Sequence, residues 1–287
     1  MIGIICDTGT DVPAKVSQRD NIEVVQLKVI MDDIVLKDGV AENFDKIIKF
    51  METGFPKTTL PSFLEIKEKI VKLIDKGINE IIGFNLSHEL SGTHNLFRLV
   101  AEDIRKEYKD VKIEIFDTLS VSIGCANYIL YAQEMIDQGK SYEEILAKIK
   151  TMIPDKSKVF FTIPTLKFLK AGGRIGKVSG TIAEVFNLKP IISVGADGIY
   201  YTAAKSRGLK KAYKKVKELA YSIIKSNNIK LVGIAWTGQN SETLREVEQI
   251  KKDLESLGIK NYYSGHINST LLVNTGLDLI GIAVLLE

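Results

Sequence analysis

Ile81-Ile-Gly-Phe84-Asn85-Leu-Ser-His-Glu-Leu-Ser91-Gly92-Thr93 passes from an apolar run into a hydroxyl-rich loop, and Leu96-Phe-Arg-Leu-Val100 then starts a helical pattern. A short apolar run followed by a polar turn and a 3.6-residue period reads as strand, loop and helix, the repeating unit of an α/β fold. Ser91, Gly92 and Thr93 fall at or near the helix start. Free backbone N–H groups and the positive end of the helix dipole favour an anion there. No lysine or arginine lies within the loop, which points to a small carboxylate or phosphate held by neutral donors. Serine and threonine are also common helix caps, so capping and anion binding are both open for this loop taken alone.

The same alternation extends in both directions. Strand-like runs recur at Ile2–Cys6, Ile113–Phe116, Val159–Phe161, Leu231–Ala235 and Ile282–Leu286. Helical patterns intervene at about 62–75, 94–109, 120–137, 142–151, 209–225 and 241–256, as expected for helices flanking a largely parallel sheet. Glu23–Leu36 reads instead as a strand pair turning at Met31-Asp-Asp33. A polar break at Pro154-Asp-Lys-Ser157 divides the chain into an N-terminal α/β domain, 1–155, and a smaller α/β domain, 156–287, whose final strand is free to return to the first. Ligands in such folds bind beyond the carboxyl ends of strands or between domains. The polar loops at Asp7–Asp11, Ser87–Thr93 and Asp117–Ser120, with Lys57–Ser62, fit that position.

A chain of 287 residues is comfortable for two domains, and 45% hydrophobic with 26% charged residues is ordinary for a globular protein. The net charge of +3 is too small to imply nucleic acid. Lys205, Arg207, Lys210, Lys211, Lys214, Lys215 and Lys217 interleave with Leu209, Ala212 and Val216, the pattern of a solvated helix face. The chain opens on a strand-like run without a basic leader, and no segment is long and apolar enough to span a membrane. A cytoplasmic protein is expected, its Cys6 and Cys125 reduced and buried rather than in a metal site or disulfide.

Several tempting motifs fail. Asp7-Thr-Gly9 resembles an aspartic-protease loop, but Asn274-Thr-Gly276 lacks the second carboxylate and the helix-rich pattern is wrong. Asp7 and Asp11 are therefore read either as turn-forming residues or as part of a site rim. Ala171-Gly-Gly-Arg174-Ile-Gly-Lys177-Val178 has alanine where a phosphate loop needs its first glycine and valine where it needs a hydroxyl. His88, His94 and His266 have no metal spacing. A Ser91–histidine pair for ester hydrolysis stays open, although the Gly-x-Ser-x-Gly elbow is missing.

Six stretches in order resemble motifs of the DegV family of fatty-acid-binding proteins. They are Asp7-Thr-Gly-Thr-Asp11-Val12, Lys57-Thr58-Thr59-Leu60-Pro61-Ser62, Leu86–Thr93, Asp117–Gly124, Leu169–Ile175 and Asn187–Ile191. The resemblance implies a two-domain DegV-like α/β fold enclosing one long-chain fatty acid between its domains. Loop hydroxyls would hold the carboxylate: Thr58 or Thr59 and Ser91, with Gly92 and Thr93 close by and Asn274 across the site. It further implies a non-catalytic carrier, needing no metal or cofactor, that presents the carboxylate to a separate fatty acid kinase. Arg174, Lys205 and Arg207 would face that partner, and transient membrane contact is compatible with the role.

Family members carry a His-x-Gly-Pro-Gly segment before the last strand. Here the register places Asn274-Thr-Gly276-Leu277-Asp278, so a neutral amide stands where a titratable group is expected. Leu60 likewise replaces a glutamine. The alternatives to a carrier are a Ser91-dependent hydrolase of acyl esters or phosphates, and a lipid-sensing regulatory module without a kinase.

Overall fold

The computed structural model describes residues 1–180 and 187–287. The first half contains strands β1 (Ile2–Asp7), β2 (Ile22–Val25), β3 (Lys28–Met31), β4 (Ile34–Lys37), β5 (Lys57–Thr59), β6 (Glu80–Asn85) and β7 (Lys112–Asp117). Its helices are α1 (Ala14–Ser17), α2 (Ala41–Met51), α3 (Phe63–Asp75), α4 (Thr93–Glu107), α5 (Ile123–Asp137) and α6 (Tyr142–Met152). The second half contains β8 (Ser157–Thr162), β9 (Leu188–Val194), β10 (Tyr200–Arg207), β11 (Ile229–Trp236), β12 (Tyr262–His266) and β13 (Ile280–Leu286). Its helices are α7 (Lys167–Ala171), α8 (Leu209–Ser226), α9 (Ser241–Ser256) and α10 (Ser269–Thr275).

Three sheets result. One is four-stranded and wholly parallel, in the order β2-β1-β6-β7, as the strand–helix alternation implies. The β3-β4 hairpin turning at Asp32-Asp33 pairs with β5 to make a three-stranded antiparallel sheet. The third has the order β10-β9-β8-β13-β11-β12, and β11–β12 is its parallel pair. Its other neighbours are antiparallel, so the largely parallel expectation holds for the first half alone. The last strand does not return to the first half: β13 lies between β8 and β11, at the centre of the six-stranded sheet. Its composition, Ile-Gly-Ile-Ala-Val-Leu-Leu, suits a strand covered on both faces.

The two large sheets share a middle layer. Residues Ile123–Ile129 of α5 are all buried, so this helix has no solvent face in its first two turns. It touches β8, β11 and β13 on one side and β1 and β6 on the other. One core cluster accordingly joins Ile4 and Phe84 to Tyr128 and Ile129, and these to Leu231 and Leu285. On the small sheet, Val29 and Met31 pack with Ile47 of α2, Phe168 of α7 and Leu272 of α10. Helix α10, from the end of the chain, thus closes a core built by its first fifth.

Candidate functional site: a hydroxyl-lined cavity beside an apolar slot

The loop after β6 is folded over Ser87. Leu90 and Ser91 N–H groups donate to Ser87 O at 3.0 and 3.1 Å, while Ser87 N–H reaches Ser120 O at 2.8 Å. The Ser87 hydroxyl donates to Gly198 O at 2.9 Å and ties the loop to the β9–β10 turn. Gly198 has φ +77°, and a Cβ there would meet Ser87 Oγ, so a side chain is excluded on both counts. The loop then enters α4 with Gly92 as N-cap and no side-chain cap bond. Ser91 Oγ instead accepts Thr93 N–H at 3.3 Å and pairs with Thr93 Oγ1 at 2.7 Å.

A second wall comes from β5 and α3. Ser62 and Glu65 form a reciprocal capping box, and Lys28 binds Glu65 at 2.8 Å. Such a cap contributes about 1 kcal/mol and sets the angle at which Lys57–Leu60 approaches the loop. A third wall is α10. Asn274 Nδ2 donates to Thr270 O at 2.8 Å, and its Oδ1 lies against Gly172, where a methyl group would collide with it.

These walls enclose a cavity of about 280 Å³ whose lining includes Thr58, Thr59, Ser91, Gly92, Arg174 and Asn274. Five of the six residues read as ligand-binding therefore lie on one surface. Thr93 is fully buried behind it, where its hydroxyl orients Ser91. Arg174 departs from its expected place. It is half-buried in the lining rather than projecting toward a partner, with Nε donating to Leu90 O at 3.3 Å and Nη1 to Gly172 O. The neutral-donor expectation changes with it, because a guanidinium from residue 174 supplies the charge that the loop lacks. Lys205 and Arg207 are exposed on β10, and the intervening strand puts Lys205 roughly 16 Å from the cavity-lining Tyr200.

Sequence reading did not single out Tyr200, Thr270, Leu271 or Thr275, which also line the cavity. The hydroxyls at 270 and 275 give no helical or strand signal. Tyr200, Leu271, Thr275 and Val121 are shared with an adjoining apolar slot lined further by Val159, Phe161, Ala235 and Leu279. The slot holds about 30 Å³, room for one or two waters, so its walls are nearly in contact.

The hydrogen bonds of Ser91 Oγ run to Thr93 rather than to a histidine. His88 Nδ1 is paired with Asp117 and its Nε2 lies 3.0 Å from Glu89. His94 is lowered from the ordinary range chiefly by burial, and its Nδ1 has no partner among the described residues. His266 lies tilted against Trp236, with ring centroids 4.6 Å apart. Ser91 is thus engaged with Thr93, and the geometry offers the hydrolase reading no support. Among the described residues no group of three or more His, Cys, Asp or Glu is arranged to hold a metal, and no helix is long and apolar enough to cross a membrane.

The family model described as "Uncharacterised protein, DegV family" matches residues 1–287. The chain belongs to the DegV family. A DegV domain-containing protein of Clostridium acetobutylicum is 32% identical over 284 residues, 99% of this chain and 98% of its own. Among solved structures, a stearic acid-binding protein of Eubacterium ventriosum superposes with a TM-score of 0.88 at 25% identity, covering 100% of this chain and 98% of its own. The Fatty Acid Kinase B3 protein of Streptococcus pneumoniae, solved with linoleic acid, has the same fold, with a TM-score of 0.86 at 19% identity and full coverage of both chains. Within this DegV fold, four of the six motifs meet at the cavity, through Thr58 and Thr59, Ser91 and Gly92, Val121, and Arg174. The Asp117–Gly124 motif reaches it through Val121 and supplies Ser122 and Ile123 to the slot.

Proposed function

We propose that this protein is a non-catalytic carrier of one long-chain fatty acid, which it presents to a separate fatty acid kinase. The observation that carries the reading is continuity: Val121, Tyr200, Leu271 and Thr275 belong both to the hydroxyl-lined cavity and to the apolar slot. An amphiphile with a small anionic head and a long tail fits that polarity. The Ser91–Thr93 hydroxyl pair can be oriented with Thr93 donating, which leaves the Ser91 proton for a carboxylate oxygen, with Thr58 or Thr59 opposite, Arg174 as counter-charge and the α4 N-terminus behind.

The tail supplies most of the affinity. Each buried methylene contributes about 0.8 kcal/mol, so a long chain gains on the order of 10 kcal/mol before the cost of association. A neutral hydrogen bond nets about 1 kcal/mol. Loading then requires the slot to widen by movement of side chains such as Phe161 and Leu271. The cavity lies between halves 1–155 and 156–287, and exposed Lys205 and Arg207 are the residues offered to a kinase.

Mass spectrometry of an organic extract of the purified protein should detect about one fatty acid per chain. Incubation with a fatty acid kinase and ATP should then yield acyl phosphate, and Asn274→His should raise that yield. A lipid-free extract together with no binding on reconstitution would end the carrier reading. Stoichiometric lipid without phosphorylation by either form would leave a lipid-sensing module.

A further inference from the structure

Among the described residues, strand β12 is the outermost strand of the six-stranded sheet, with β11 on one side and no strand on the other. Val232 N–H donates to Asn261 O, and Ile267 N–H to Trp236 O. Alternation along a parallel ladder then turns the backbone groups of Tyr263 and Gly265 toward β11, and those of Tyr262, Ser264 and His266 outward. Such an edge is a template for another strand, and proteins usually guard it with charges, proline or a bulge. The other edges carry charge: β10 has Lys205, Arg207 and a register shift at Thr202/Ala204, β7 has Lys112 and Glu114, β4 ends in Lys37, β2 has Glu23 and β5 has Lys57. Strand β12, Tyr262-Tyr-Ser-Gly-His266, has no lysine, arginine, aspartate, glutamate or proline.

A cleft of about 650 Å³ runs beside this edge and is lined by Tyr263, Ser264, Gly265 and His266 in succession. Its far wall is Val12–Ala14 and Ser17, with Val24 and Gln26 at the outer strand of the parallel sheet. A bounded cleft of this volume suits one extended segment better than a second complete sheet. Lys69 also lines the cleft, and Glu23 beside it is clasped by Lys69 at 2.8 Å, Lys72 at 2.5 Å and Lys76 at 3.5 Å. Three ammonium groups against one carboxylate leave positive charge in excess at that end, and Asp11, the acid among the lining residues, is engaged by Ser122 and Asn268.

We propose that this cleft binds an extended acidic segment of a partner protein, added as a strand to the outer edge of β12. Main-chain hydrogen bonds to Ser264 and its outward neighbours supply the pairing, and Lys69 selects carboxylate side chains, with Lys72 and Lys76 adding positive charge around Glu23. Four lining residues along the edge span about 13 Å, the length of a four-residue strand. No residue of the hydroxyl-lined cavity lines the cleft, and Ile123 alone is shared between the cleft and the apolar slot, so the head contacts and the segment contacts are separate sets.

A linear dodecapeptide library displayed on phage, selected against the intact protein, tests this directly. Enriched peptides should carry alternating apolar and acidic residues and, once resynthesised, should slow hydrogen exchange at Tyr262, Ser264 and His266. Ser264→Pro removes an outward donor without touching the β11 ladder and should weaken those peptides at least ten-fold. Lys69→Glu should weaken them by a similar factor. Unfolding midpoint and fatty-acid retention of Ser264→Pro should match the parent, which separates this result from the lipid reading. Two results would overturn the proposal: no enrichment, or enriched peptides indifferent to both substitutions. Concentration-dependent protection of the same amides without peptide would also overturn it, by assigning the edge to a second copy of the chain.

Discussion

Asp11 Oδ1 accepts the backbone N–H of Asn268 at 2.7 Å, a bond between residues 257 positions apart. The other Asp11 oxygen accepts the Ser122 hydroxyl, and Asp38 accepts both the N–H and the hydroxyl of Thr270. Two carboxylates from the first half therefore hold the leading end of α10, the helix that brings Thr270, Asn274 and Thr275 to the cavity. Asp11 has φ +46° and Ser122 φ +54°, conformations that cost of order 1–3 kcal/mol each and persist because these bonds require them.

Burial raises Asp11 to about 7, against the hydrogen bonds from Ser122 and Asn268, and raises Asp7 to about 7 against those from Asn85, Leu86 and Gly9. An acid raised in the folded chain contributes stability that is present below the unfolded carboxylate range, near 4, and is lost as pH rises through about 7. Tyr200, Tyr263 and Cys125 beside Asp11 are all raised by burial and stay neutral through this interval. His94 and His266 are lowered by burial and act in the opposite sense below about pH 6.5. Denaturant midpoints should therefore fall from pH 6.5 to 8, and Asp11→Asn, which can still accept from Asn268, should flatten the slope. A parent midpoint that is constant or rises over that interval would contradict the assignment.

Ser91→Ala should weaken fatty-acid retention about ten-fold or more, the loss of one hydroxyl bond to a charged carboxylate. Arg174→Ala should weaken it roughly ten- to a hundred-fold, because a charge-assisted bond contributes about 1.5–3 kcal/mol. Displacement of a fluorescent fatty acid measures both. A large drop in melting temperature for Ser91→Ala with unchanged retention would assign this serine to the helix start.

Gly172 has an ordinary φ of −76°, so alanine is forbidden there only by Asn274 Oδ1 and its surroundings. Gly172→Ala should destabilise the fold by about 1–3 kcal/mol, the usual cost of overpacking. Asn274→Ala in the same chain should restore much of that loss. A double-mutant cycle measures the coupling, and strict additivity would mean that the two residues do not meet.

Val121 sits at the junction of cavity and slot. Val121→Trp should block passage of a long tail while leaving the head contacts in place. Stearate binding should fall by at least ten-fold and octanoate binding should change little. Equal loss for both acids would show that the substitution disturbs the head cavity instead.

The strand–loop–helix reading around Ser91 holds because it rests on local periodicity: Glu80–Asn85 is a buried strand and Thr93–Glu107 an amphipathic helix. The turn at Asp32-Asp33 is legible for the same reason, although Glu23–Val25, read as part of that strand pair, belongs to β2 of the parallel sheet. The antiparallel sheet of the second half is not, since a short buried apolar run reads alike in either direction and its partners are far along the chain. Position 174 shows the same limit. A Gly-Gly-Arg turn announces a projecting arginine, but its direction depends on Leu90 O and Gly172 O, one of them 84 residues away.

Sequence alone was enough to determine the alternating strands and helices, the hydroxyl loops, and the resemblance that the full-length family match confirms, because periodicity, turn chemistry and ordered motifs are properties of contiguous residues. Tertiary structure decided which of those residues meet. It placed α5 between two sheets, drew Arg174 into a cavity whose own loop has no cation, and anchored α10 through Asp11 and Asp38. Each of these depends on packing and on pairing buried polar groups across long separations, where the free energy is set by the partner found and not by the neighbours in the chain.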